Sequence, residues 1–457
     1  MMTGDEYLAS LRDGRRIFLD GRQVADVTAD PSLGAAARVV ARGYDALRQP
    51  GPGARNPVFA VPRTVEDLRA RCRLLIDHDV TLSLSAVAMA LLTSAAALSE
   101  ADPGAGERIG VWFDDCARRD VRFAELITDA KGDRALPPSG QDDPDLYVRV
   151  VDRDRRGVVI RGAKFHITAG PLVHELVVLP TKRMRPGEEA YAIACAVPAD
   201  APGVTQITSS HGGHGHPRDT PVSRAVALPD SMVVFDDVHV PHERVFLDGD
   251  VQRSAVVAHA LGLWERLSGV AHMAHLGDQL AGLAQLMAEA NGTASMAHIK
   301  DKVTEIVLYA TMTAACLEAA LGNVTATPDG MLVPSELYTN AGKLHAASGY
   351  ALMVRHLHDI AGGTVVTGPS FADLENPETG PMVEKYLRGA AGVSAEQRLA
   401  LFHTIRNLTA DGWGGREAVS WLQSGGGLFA QRTVTRHHYD MAGAVRAARR
   451  LGGLADG

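Results

Sequence analysis

Thiols are scarce: Cys72, Cys116, Cys195 and Cys316 are the only cysteines in 457 residues. No two have CxxC spacing, so neither a structural zinc knuckle nor a disulfide framework is encoded. Four buried thiols in a reducing cytoplasm are expected instead. No GxGxxG follows a strand and opens a helix, and GxxxxGK[ST] is missing, which leaves Rossmann dinucleotide binding and P-loop hydrolysis without support. HExxH and a strand–turn–helix GxSxG are missing as well. Basic excess is lacking: 54 acidic against 46 basic side chains give a net charge of −8, which argues against nucleic acid as a partner. The first residues, Met-Met-Thr-Gly-Asp-Glu-Tyr-Leu, have neither the basic nor the apolar region of a signal peptide. The longest apolar run, from Ala86 to Leu98, is interrupted by Thr93 and Ser94 and reads as too short for a membrane span. A cytoplasmic protein with no membrane partner is expected.

What is present, 46% hydrophobic and 22% charged residues, suits a globular chain of two or three domains. Residues 1–140 read as helical, with apolar residues at helical spacing over Val65–Asp77, an almost wholly apolar helix over Leu82–Leu98 and an amphipathic one over Glu107–Val121. Residues 141–250 carry short β-branched runs at 146–151, 157–160, 174–179, 191–197 and 232–240, separated by turn signals such as Asp154-Arg-Arg-Gly157. Residues 251–457 return to helix, with long candidates over Val251–Ala290, Ala294–Leu321 and Pro334–Ile360, punctuated by Asn291-Gly292 and Thr327-Pro-Asp-Gly330. This order predicts an α+β, acyl-CoA-dehydrogenase-like architecture: an N-terminal helical domain, a central antiparallel β domain resembling a barrel or sandwich, and a C-terminal long-helix bundle. A planar cofactor fits the cleft between the last two.

Three segments carry groups suited to such a cofactor. Thr128-Asp-Ala-Lys131-Gly132-Asp133-Arg134 offers a turn glycine and charges of both signs for a pyrophosphate or ribityl chain, though a salt-bridged linker needs the same residues. Arg161-Gly-Ala-Lys-Phe-His166-Ile167-Thr168-Ala-Gly170 leaves a strand with small residues and the polar groups a flavin edge requires; a strand end with a satisfied His reads the same way. His358-Asp-Ile-Ala361-Gly362-Gly363-Thr364 closes a long helix on two glycines that expose backbone N–H groups, as an ordinary C-cap also would. Three imidazoles in His211-Gly-Gly-His-Gly-His216 could bind Zn²⁺ or Ni²⁺. No distant ligand is evident, so a mobile loop over the active-site mouth is the expectation and no metal is assigned. His437-His438 reads as surface.

Taken in order, TDAKGDR, RGAKFHITAG and DIAGGTVVTGP resemble the flavin-contacting segments of the 4-hydroxyphenylacetate 3-hydroxylase / 4-hydroxybutyryl-CoA dehydratase superfamily. The similarity extends from Gly4-Asp-Glu-Tyr-Leu through Val234-Phe-Asp-Asp-Val-His-Val-Pro-His-Glu-Arg-Val-Phe246 to the Ser424-Gly-Gly-Gly-Leu-Phe-Ala-Gln-Arg432 turn. The resemblance implies an acyl-CoA-dehydrogenase-like homotetramer binding FAD, with Thr128, Lys131–Arg134, His166–Thr168 and Ala361–Thr364 at the flavin. It also implies a substrate side lined from Trp264 to Asp278, where Glu265, His272 and His275 are the candidate catalytic groups. Glu265 and His272, seven apart, share one helix face.

Two departures from the resemblance narrow the chemistry. The dehydratase branch holds an iron–sulfur cluster on three Cys and a His; here Leu82–Leu98 lacks Cys, and Glu265 and His272 fill the bundle positions, so no cluster is expected. The hydroxylase branch holds its phenol with an Arg-Ser-Pro-Asp-Tyr stretch and a His; here Ser83–Met89 and Ala124 stand at those places. The expected activity is a two-component, reduced-flavin monooxygenase fed by a separate flavin reductase, acting on a small aromatic or carrier-bound acyl substrate. The alternative is a cluster-free dehydratase, isomerase or dehydrogenase of an acyl thioester, with His272 or Glu265 as base.

Overall fold

The computed structural model describes residues 1–454 apart from Pro52, His214 and Ala391. Five helices open the chain: α1 (Gly4–Ser10), α2 (Pro31–Leu47), α3 (Val65–Asp77), α4 (Ala86–Ser99) and α5 (Ala105–Arg119). The expected single helix over Leu82–Leu98 is divided, because Val80–Ser85 forms a 3-10 turn on which α4 is set. The Asp79 carboxylate accepts from Thr81 N at 3.1 Å and holds that turn tighter than an α-helix.

The β region differs from the expectation in extent and in direction. One sheet has the order β2-β1-β8-β9-β5-β4 and the other β10-β7-β6-β3. Their strands are β1 (Ile17–Leu19), β2 (Arg22–Val24), β3 (Phe123–Leu126), β4 (Arg149–Arg153), β5 (Gly157–Thr168), β6 (Glu175–Val178), β7 (Ile193–Pro198), β8 (Val204–Ser209), β9 (Asp230–Pro241) and β10 (Val245–Asp248). Three of these come from the stretch expected to be helical. β1 and β2 form a hairpin over Asp20-Gly21, both at positive φ, and β1 then runs parallel to β8. β3 pairs in parallel with β6, so both sheets are mixed rather than antiparallel.

After a short α6 (Pro221–Val226) come the bundle helices α7 (Ser254–Ala290), α8 (Ala297–Gly322) and α9 (Glu336–Ala361), with a small β11–β12 ribbon (Thr325–Ala326, Leu332–Val333) between the last two. Short helices α10 (Thr364–Thr367), α11 (Phe371–Glu375) and α12 (Gly380–Tyr386) lead to α13 (Ala395–Thr409), α14 (Gly412–Gln423), α15 (Leu428–His438) and α16 (Met441–Gly452). At about 1.5 Å per residue, α7 alone is roughly 55 Å long. Its first half packs into the N-terminal core with α4 and its second half into the bundle core with α8 and α9, so one helix ties two cores together.

By length and composition two helical segments could cross a membrane, Thr81–Ser99 and Ala297–Gly322. The first exceeds the length expected from sequence because Thr81–Ser85 extends it, yet 61% of its window is buried in the protein, against 28% for the second. Cys72, Cys116 and Cys195 are buried and Cys316 half-buried; burial pushes the Cys72 and Cys195 thiols up to about 12.

Candidate active site

β3 alternates its side chains between two cores, as a strand must. Ala124 and Leu126 enter the β-domain core, whereas Phe123 faces the N-terminal core and α7. Glu125 lies on the Phe123 side. Ala124, the position matched from sequence to the phenol-holding His, is therefore turned away from the site, and its neighbour Glu125 faces it. One Glu125 carboxyl oxygen is buried with no hydrogen-bond partner. Burial first, and then the nearby Glu265 charge, push the Glu125 carboxyl well above the usual range; the Val87 backbone in the first turn of α4 and the Arg71 guanidinium work the other way.

Glu265, on α7, is raised by burial too, opposed by the Gly425 backbone and by the charges of Lys343 and Arg266. Three buried cations surround the pair. Arg71 donates to the Val58 carbonyl at 3.0 Å and lies over the Trp264 ring, and burial lowers it to about 10. Arg266 donates to Gly425 O at 2.6 Å and to Asn340 Oδ1 at 3.0 Å. Lys343 donates to the Trp421 carbonyl, and burial draws it down to about 8. The turn at Ser424–Gly427 closes this corner: Gly425 and Gly426 have φ of +71° and +84°, and a Cβ at Gly425 would sit 2.7 Å from Arg266 Cγ. Only glycine lets that backbone lie against the guanidinium.

The other two candidate catalytic groups are placed less favourably. His272 is half-buried beside Trp421, with Nδ1 2.8 Å from the Ser268 carbonyl and the Leu75 carbonyl also at the ring. Burial lowers its pKa and makes it a weak base, against the Ser268 and Leu75 carbonyls, which favour the protonated ring. His272 and Glu265 share a helix face, and Lys343, whose charge acts on Glu265, donates to the carbonyl of Trp421, the ring beside His272. His275 is exposed and bonds Gln279 at 3.0 Å; three residues from His272, it is turned about 60° away round the helix.

Of the flavin-directed segments, the first two form one wall. Phe165 N donates to Thr128 O at 2.8 Å, and the buried Asp129–Lys164 ion pair (2.8 Å) locks the loop to β5. Lys131 and Gly132 have φ of +72° and +49°, and Gly132, Asp133 and Arg134 are exposed. Arg161–Thr168 of RGAKFHITAG form the end of β5 and Ala169–Gly170 leave it, and a bulge between Lys164 and Ile167 throws His166 outward at φ +62°. Ile167 points into the β core, and half-buried Thr168 donates its Oγ1 hydrogen to Asp230 Oδ1 at 2.8 Å. Ala361 is buried, and Gly362 and Gly363 are exposed, with open space where a Cβ would stand.

The bundle that carries Ala361–Thr364 is tied to that wall at Asp230, by Arg416 of α14 and by the His211–His216 loop. His211 pairs with Asp230 (3.1 Å), and Asp219 accepts from Phe371 N (2.9 Å) just beyond α10. Burial tends to raise the Asp230 carboxyl, but bonds from His211, Thr168 and Arg416 outweigh it and hold it low. The expected mobile loop is thus a strap between β9 and the bundle. His211 and His216 turn to separate carboxylates, Asp230 and Glu375, and His214 lies outside the described residues.

Comparison with known proteins gives this arrangement a lineage. The family models for the N- and C-terminal parts of 4-hydroxyphenylacetate 3-hydroxylase match residues 3–247 and 255–453. The chain belongs to this family. The oxygenase component of 4-hydroxyphenylacetate 3-monooxygenase from Thermus thermophilus is 31% identical over 91% of this chain and 90% of its own length. A crystal structure of such an oxygenase component complexed with FAD matches with a TM-score of 0.90 at 28% identity, covering 99% of this chain and 98% of the other. An oxygen-tolerant archaeal 4-hydroxybutyryl-CoA dehydratase from N. maritimus matches equally well, TM-score 0.90 at 27% identity, covering 100% and 95%. The order of layers is the acyl-CoA-dehydrogenase-like one expected from sequence.

As a 4-hydroxyphenylacetate 3-hydroxylase family member, the chain is a flavin-dependent oxidoreductase. Its residues fit FAD on their own terms: outward-turned backbone at Lys131–Gly132 offers N–H groups to phosphate or ring oxygens, with Arg134 an exposed cation close by in the same loop, and Gly362–Gly363 leave open space for a close approach. Glu265 and His272 stand where the sequence match expects the His and Cys of a cluster on the bundle helix, and α4 carries no Cys. Sequence reasoning missed Glu125, Arg71 and Lys343. A lone carboxylate within Phe123-Ala-Glu-Leu126, between apolar neighbours on a buried strand, was the signal for the first.

Proposed function

We propose that this chain is the oxygenase of a two-component, FAD-dependent monooxygenase, without an iron–sulfur cluster, acting on a small aromatic or carrier-bound acyl substrate held beside Glu125 and Glu265. The paired carboxyls carry the reading. Two such groups in one buried corner cannot both ionise cheaply, so they hold one proton between them. Glu265 has the Gly425 backbone, Lys343 and Arg266 to support its charge and takes the ionised role; Glu125 keeps the proton. The pair then presents a donor beside an acceptor, a match for a substrate hydroxyl that must be oriented and relieved of its proton as the ring becomes nucleophilic. Bound FAD, reduced by a separate reductase, supplies the electrons and the activated oxygen. Thr128–Arg134, the His166 bulge and Ala361–Thr364 would hold it, while α4 and Trp264 keep water from the corner. The name of the Thermus relative, an oxygenase component, supports a reductase elsewhere, as does the missing nicotinamide motif.

Exposed apolar residues on α8, among them Val307, Leu308 and Met312, support a homotetramer in which this face is covered by other copies. A visible spectrum taken before and after FAD addition tests the cofactor. The expected result is a flavin profile without the broad absorbance near roughly 400 nm of an iron–sulfur cluster. Turnover of an acyl thioester with oxidised FAD under argon would favour the dehydratase or isomerase alternative.

A further inference from the structure

His259, Glu336 and His438 come from three separate elements, the start of α7, the first turn of α9 and the last turn of α15. Their ligand atoms all lie within 4.8 Å of one another. His259 Nε2 and Glu336 Oε1 are 2.7 Å apart, and the His259 and His438 rings are nearly parallel, 14° between planes with centroids at 6.4 Å. The second Glu336 oxygen is buried and has no hydrogen-bond partner. An ordinary surface His–Glu contact would leave that oxygen in water and would not bring a second imidazole, 179 residues along the chain, to the same point.

We propose that these three side chains form a binding site for one divalent transition-metal ion of the Zn²⁺ type. Two imidazoles and a carboxylate are a ligand set that Zn²⁺ takes, with a water in the fourth position. Bonds of about 2.0–2.2 Å in a tetrahedron put ligand atoms roughly 3.3 Å apart, so the three atoms need shift only slightly. The ion takes the place of the proton shared by His259 and Glu336, which goes to solvent.

The site has a structural consequence. Glu336 O accepts from Asn340 Nδ2 at 2.7 Å, Asn340 Oδ1 accepts from Arg266, and Arg266 donates to Gly425 O. α15 begins immediately after that glycine turn and ends at His438. A metal ion at its end therefore pins α15 against α7 and α9, and with it the turn that faces Glu265. It is a clamp on the active-site wall, outside the flavin and substrate sites, and it does not depend on which substrate the enzyme takes.

The test uses the full-length chain without an affinity tag. Zn²⁺ is added, excess is removed by gel filtration, and metal per chain is measured; Co²⁺ in its place reports ligand geometry through its visible d–d bands. One equivalent and a tetrahedral Co²⁺ spectrum are expected. His438→Ala and Glu336→Gln should each lose stoichiometric binding, weakening it by more than the roughly 10- to 100-fold cost of losing an outer-shell partner. His437→Ala, next to the site, should keep it. Absence of a stoichiometric ion would overturn the proposal, as would retention in His438→Ala or loss in His211→Ala, which would place the ion in the strap loop. Flavin content measured on the same samples keeps a failure of FAD binding distinct from a failure of the metal site.

Discussion

A proton held between Glu125 and Glu265 has consequences for stability as well as chemistry. Burial and the Glu265 charge raise the Glu125 carboxyl in the folded chain. The folded state therefore keeps a proton that the unfolded state releases above about pH 4.3. The folded state binds more protons, so this contribution to stability falls as pH rises from there towards the raised folded value. Glu125→Gln, neutral at every pH, should melt higher than the parent at pH 8 and level with it near pH 4, by calorimetry. Its turnover should fall by roughly 10²- to 10⁴-fold, the usual contribution of a positioned acid or base. Glu265→Gln should move the alkaline limb of the pH–rate profile, set by loss of the Glu125 proton, to lower pH, because it removes the like charge that raises Glu125; an unmoved limb would separate the two groups. Both residues were visible in sequence, but only Glu265 was legible as a site residue. Which face of β3 meets α7 follows from packing: Ala124 faces the β core and its neighbour Glu125 faces α7.

Elements, more than single groups, decide whether the flavin wall holds. The Asp129–Lys164 pair joins the TDAKGDR loop to β5, and Lys164 Nζ also donates to the carbonyls of Ile127 (3.0 Å) and Leu179 (2.9 Å). Asp129→Ala would leave a buried, unpaired ammonium and should cost about 3–5 kcal/mol in denaturant unfolding, with weaker FAD binding by titration. Gly425→Ala forces a side chain into left-handed backbone against Arg266. The expected cost is about 1–2 kcal/mol, with a larger loss in kcat/KM than in melting temperature if the turn supports Glu265.

The long helices were legible because their apolar period runs for many turns between clear stops, and α7, α8 and α9 begin within about three residues of the positions expected. The β region was less so. The Asp20-Gly21 hairpin is too short to show a strand period, and β8, Val204-Thr-Gln-Ile-Thr-Ser209, mixes polar and apolar residues on both faces. The parallel pairings join segments up to 189 residues apart, as for Ile17 and Gln206, beyond the reach of local pattern.

At the scale of the molecule, two cores joined by α7 leave the outer face of α8 apolar and open. Leu308→Asp together with Met312→Asp should therefore shift the chain from a mass of four copies to a smaller species in light scattering, with the monomer fold kept in circular dichroism. Two solved structures of the family, a hydroxylase oxygenase component and a dehydratase, share this whole frame at the same TM-score, so overall shape does not choose between their chemistries. What chooses is the fate of dioxygen. The chain should be mixed with chemically reduced FAD and ¹⁸O₂ in the presence of a panel of phenols and aromatic acyl thioesters, 4-hydroxyphenylacetate first, and the products weighed by mass spectrometry. One labelled oxygen atom per product molecule, lost in Glu125→Gln, is the result expected of a monooxygenase built round the carboxylate pair. Product that forms equally under argon, or carries no label, would contradict it.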